Sequence, residues 1–116
     1  MPLQRSIRSH LHRLLQYNTL GQVLFLSPSL TDEESDAFVL GGIGSPTPQH
    51  FRIDFIRPWK TFSYNRCARE VFCRDFVLAL AEGEYIPPEP VWAEHITLEL
   101  VGDALDAHIR WIRRVL

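Results

Sequence analysis

The stretch from Ala93 to Leu116 constrains the fold more than any other part of this chain. Wound at 100° per residue, Ile96, Leu98, Leu100, Val101, Ala104, Leu105, Ile109, Trp111, Ile112, Val115 and Leu116 cover an arc of roughly 220°, whereas a surface helix needs about 100°. One small core does not fill so wide an arc from a single side. Either this helix is central to the domain, or part of it meets a second chain or residues that follow Leu116 in a longer protein. The spacing predicts a helix over 92–116 in either case.

The remaining apolar residues also recur mostly with helical period. Leu3, Ile7, Leu11, Leu14 and Leu15 line one face of a helix predicted over 3–17, with Arg5, Arg8 and His12 on the other. Thr31-Asp32-Glu33-Glu34 reads as a capping box opening a helix over 32–40, which Gly41-Gly42 ends. Tyr64, Ala68, Val71, Phe72, Phe76, Ala79 and Leu80 predict a helix over 64–82, with Ser63 as its N-cap and Gly83 just past its end. Phe51, Ile53 and Phe55 alternate with Arg52 and Asp54, the period of a half-buried strand. If Gln22–Leu26 is extended as well, 22–26 and 51–56 pair as a small two-stranded antiparallel ribbon. The expected architecture is thus mainly α, a single helical domain over 1–116 with four helices and that ribbon. At 116 residues the chain is long enough to bury a core without a metal or disulfide.

Net charge is −2, but the charges fall in alternating blocks. Arg5, Arg8 and Arg13 stand without an acid in 1–31, whereas Asp32, Glu33, Glu34 and Asp36 stand without an Arg or Lys in 32–51. A mixed, net basic stretch follows over 52–75. Seven acids and no Arg or Lys occupy 76–106, before Arg110, Arg113 and Arg114 close the chain. Two readings apply: internal complementation between blocks, or exposed patches that steer a partner. Arg5 and Arg8 sit at the positive end of their own helix dipole, which costs stability and marks them as a surface suited to a partner.

Few residues suggest chemistry. Cys67 and Cys73 lie six positions apart in one predicted helix, about 9 Å along its axis and about 120° around it, so they do not bridge. Neither C-x-x-C nor zinc spacing is present, and free thiols of this kind suit a reduced, intracellular setting, cytoplasm or nucleus. The acids of 32–36 lack the alternation and central Gly of a calcium loop, and Gly41-Gly42-Ile43-Gly44 runs into Ser45-Pro46-Thr47-Pro48 instead of the Lys-Ser/Thr of a phosphate loop. His10 and His12 point apart on their helix; His95, Glu99 and Asp103 form a ladder too sparse for a metal without another segment. His108 projects into the apolar arc, where a core imidazole is ordinarily satisfied by a carbonyl or an acid. The alternative is a pH switch whose protonation loosens an interface. No Ser/His/Asp or Cys/His arrangement is adjacent in sequence, so no catalytic residue, metal or cofactor is expected.

Pro58-Trp59, Asn65, Ala68, Phe72, Phe76 and Ile86-Pro87 resemble an uncharacterised helical segment found in proteins of basidiomycete-type fungi, over residues 51–116. The resemblance implies no activity, cofactor or catalytic residue; it implies a nuclear or mobile-element setting. The functional expectation is therefore a non-enzymatic interaction or oligomerisation domain that meets a protein partner or a second copy through Trp92, Ile96, Leu100 and Trp111. The alternative is a nucleic-acid-binding module contacting phosphates through Arg5, Arg8 and Arg13 or through Arg110, Arg113 and Arg114. No run is apolar enough for a membrane span.

Overall fold

The computed structural model describes residues 2–85 and 96–116. Among them lie five α-helices and no strand: α1 (Pro2–Leu15), α2 (Val23–Leu26), α3 (Asp32–Gly41), α4 (Ser63–Ala81) and α5 (Leu98–Val115), with a 3-10 turn at Leu20–Gln22. The mainly helical class is as expected, and the ribbon is not formed. Residues 92–95 of the predicted last helix, Trp92 and His95 included, lie outside the described residues. Within them α5 starts later than expected, where the Thr97 hydroxyl accepts from the Leu100 N–H.

The wide apolar arc is explained largely by position. Both α1 and α4 pack chiefly on α5 and touch each other much less. Ile7 and Leu11 of α1 and Ala68, Phe72 and Phe76 of α4 meet Val101, Leu105, Ile109 and Ile112 of α5, all fully buried. A helix covered from two sides needs apolar residues over about twice the arc of a surface helix. At Gly102 a Cβ would collide with the Arg69 guanidinium, so the glycine lets Arg69 lie across α5. Arg69 then donates to both oxygens of Asp106, at 2.8 and 3.1 Å, and the Trp59 indole donates to the same carboxylate at 2.8 Å.

Helix ends follow local chemistry, with two corrections. The capping box at Thr31 and Glu34 is formed as read, and Gly42 ends α3 in the left-handed region. Gly83 likewise ends α4 at φ +80°. The N-cap of α4, however, is Phe62 and not Ser63, which is the first helical residue. α1 stops at Leu15, two residues early, because Gln16 adopts a left-handed φ of +60°. That turn carries Tyr17 back under the helix, where it is buried.

The ribbon fails for a specific reason. Val23–Leu26 is a single helical turn, so it offers no ladder. Segment 51–55 instead takes its hydrogen bonds from side chains. The Ser27 hydroxyl donates to the Ile53 carbonyl at 2.7 Å and accepts from the Ile53 N–H at 2.8 Å. The Asn65 amide does the same for Asp54, at 2.9 and 2.8 Å. Asp54, expected on the wet face, is buried, and its carboxylate accepts from the Ser29 hydroxyl and the N–H groups of Leu30, Ile56 and Arg57. Both faces of the segment are therefore internal, and alternation of polarity is no guide to it.

Ion pairs join the charge blocks as internal complementation requires: Arg13 with Glu84, Arg52 with Glu34, Arg57 with Asp32, and Arg69 with Asp103 and Asp106. Arg5, Arg8, Arg110, Arg113 and Arg114 form no ion pair among the described residues.

Candidate functional site: the flanks of the C-terminal helix

What α1 and α4 leave uncovered on α5 divides into three surfaces. The first is a line of apolar side chains. Leu100, Ala107, Trp111 and Val115 recur at i, i+7, i+11 and i+15, which places them along one edge of the helix, and all four are exposed. Leu100 is 41% and Trp111 43% exposed, so two of the four residues expected to face a partner remain available. Ile96 does not: it is half-buried against the protein's own core. Beside this line run Glu99 and Asp103 near the start of the helix and Arg110 and Arg114 near its end.

The second surface is a groove of about 430 Å³ on the far side of Arg110 and Arg114. Its floor is Pro58, Trp59 and Ile109, and Lys60, Arg110, Arg113 and Arg114 stand around it. Its one acid, Asp106, is already engaged by Arg69 and Trp59. Lys60 was not visible as a site residue in the sequence because it lies some fifty residues before the arginines it joins.

A smaller cavity, about 210 Å³, opens where the end of α1 meets α5. Arg8, His12, Tyr17, Leu20, His108 and Trp111 line it, and no acid does. The His108 ring stacks on Trp111 at 5.8 Å between centroids, and the His12 ring lies tilted against Tyr17 at 4.1 Å. His108 is buried as expected, but its Nε2 has no hydrogen-bond partner among the described residues, and neither has the Tyr17 hydroxyl. The carbonyl or acid that ordinarily satisfies a core imidazole is missing. Burial first, then Arg8 and His12, push the His108 pKa down to about 4.

The fully buried histidine is His10, which sequence spacing did not single out. Its Nε2 lies 2.8 Å from Asp75 and its Nδ1 2.8 Å from the Tyr85 hydroxyl, with Phe72 and Phe76 edge-on to the ring. Burial lowers its pKa despite the Asp75 carboxylate, so the neutral ring donates through Nε2 and accepts from Tyr85 through Nδ1. With both nitrogens committed, none is left for a substrate; the triad ties α1, α4 and the chain beyond α4 together. The thiols are equally poor nucleophiles: burial raises Cys67 and pushes Cys73 up to about 11. No group of three or more potential metal ligands occurs among the described residues, and no helix there is long and apolar enough to cross a membrane.

Comparison with protein-family models, curated proteins and solved structures returns no match. Of the residues on which the fungal resemblance rests, Trp59, Asn65, Ala68, Phe72 and Phe76 are buried, Pro58 is exposed, and 86–87 lie outside the described residues.

Proposed function

We propose that this chain is a non-enzymatic oligomerisation module that pairs with a second copy through the exposed line Leu100, Ala107, Trp111 and Val115. The observation that carries the reading is the self-complementarity of that edge. In antiparallel pairing about a twofold axis near Ala107, Leu100 of one copy faces Val115 of the other, and Trp111 lies beside the small Ala107. The same operation brings Asp103 beside Arg110 and Arg114 of the second copy.

A contact of one helix edge buries less than the roughly 1,600 Å² of a standard interface, so the expected dissociation constant is on the order of tens of micromolar. Sedimentation equilibrium across that range tests it. Leu100→Glu is expected to give a monomer throughout, and Arg114→Glu to weaken pairing. A wild-type chain that stays monomeric at several hundred micromolar, or Leu100→Glu pairing as the wild type does, sinks the reading.

The groove favours a second reading, a phosphate-bearing nucleic acid held by Lys60, Arg110, Arg113 and Arg114. Arg5 and Arg8 are exposed at the other end of the expected phosphate set, whereas Arg13 is occupied by Glu84. Four phosphate contacts predict a log–log salt slope of about −3 to −4 with duplex or single strands. Binding without that slope, or none, removes it, and Lys60→Glu must weaken binding without altering sedimentation.

A further inference from the structure

The α1–α5 cavity carries a second inference, and it shares only Trp111 with the proposed pairing line. Its wall combines one permanent cation, the His108–Trp111 stack, the tilted His12–Tyr17 pair, Asn18 and an aliphatic side chain, with no acid to neutralise the cation. Arg8 is exposed and forms no ion pair among the described residues. Two wall residues, Tyr17 and His108, each keep a buried polar atom without a partner. Buried polar groups are normally satisfied, and leaving one unpaired costs on the order of 1–3 kcal/mol. Both residues line the same cavity as the Arg8 side chain.

We propose that this cavity binds a small organic carboxylate, with Arg8 taking the carboxylate and Leu20 and Trp111 its hydrocarbon part. The planar guanidinium fork matches the two carboxylate oxygens. A monoanion fits better than a phosphate dianion, because Arg8 is the single permanent charge and both imidazoles are neutral near pH 7, lowered by burial and by Arg8. The seated anion supplies the acceptor that the Tyr17 hydroxyl lacks. It also offsets the two cationic influences on His108, Arg8 and His12; Arg69 of α4 is held by Asp106 instead. The anion therefore eases protonation of His108, but from a pKa of about 4 the ring stays largely neutral above about pH 5.

Calorimetric titration with benzoate tests this. Saturable binding is expected, with an affinity little changed between about pH 7.5 and about pH 5.5, where benzoate is ionised and His108 neutral. Arg8→Gln is expected to weaken binding by about tenfold or more, and Tyr17→Phe by about fivefold while leaving thermal stability unchanged or raised. Leu100→Glu, outside the cavity, must bind benzoate like the wild type, which separates this site from self-association. No saturation below about 50 mM benzoate, affinity unmoved in Arg8→Gln and Tyr17→Phe, or equal binding of benzamide or inorganic phosphate overturns the proposal.

Discussion

Replacing Asp54 by Ala is expected to cost about 3–5 kcal/mol, a large share of the stability of a domain this size. The buried carboxylate accepts from Ser29, Leu30, Ile56 and Arg57, and its loss leaves three backbone N–H groups and a hydroxyl without acceptors. Asp54→Asn keeps one acceptor oxygen and should cost less, about 2–3 kcal/mol. Burial acts to raise the Asp54 pKa, but the hydrogen bonds from Leu30, Ser29, Arg57 and Ile56 together outweigh it and the pKa is lowered. Its contribution is thus present above the ordinary aspartate pKa and is lost as pH falls through the depressed one. Urea unfolding followed by circular dichroism measures the change; a loss below about 1 kcal/mol for Asp54→Ala is incompatible with this role.

The second large effect is pH dependence through His108. The unfolded imidazole protonates near 6.5, and the folded one only at about 4. Between those values the unfolded state holds more protons, so stability is full above 6.5 and declines as pH falls to 4, by about 3 kcal/mol in all. His10, lowered by burial, acts in the same direction. His108→Leu removes a buried nitrogen that has no partner and fits the apolar arc. It should be at least as stable as the wild type at neutral pH and show a visibly shallower acid decline. An identical decline in both proteins would falsify the assignment. The switch anticipated at an interface thus acts first on the fold.

Much of this architecture was legible in sequence because helices carry their signals locally. The Thr31–Glu34 box and the i, i+4 spacing of Ala68, Phe72 and Phe76 need only neighbours to be interpreted. Segment 51–55 was misread because its polarity alternates while its environment does not: Ser27 and Asn65, twenty-six and eleven residues from the atoms they bond, hold it. The sites divide in the same way. Leu100 and Trp111 follow from the periodicity of one helix, whereas the joining of Lys60 to Arg113, or of Tyr17 to His108, exists only once separate elements meet. His10 was overlooked because Tyr85 and Asp75 are distant in sequence, so nothing local separates it from an exposed imidazole.

The central place of α5 bears on how the chain is made. It is the last of the described helices to leave the ribosome, yet α1 and α4 find most of their packing on it and little on each other. Until residues 98–115 emerge, the apolar faces of α1 and α4 have no surface to close upon. Folding of this domain accordingly waits for residues 98–115, and until then Ile7 and Leu11, and Phe72 and Phe76 once made, stay open to chaperones.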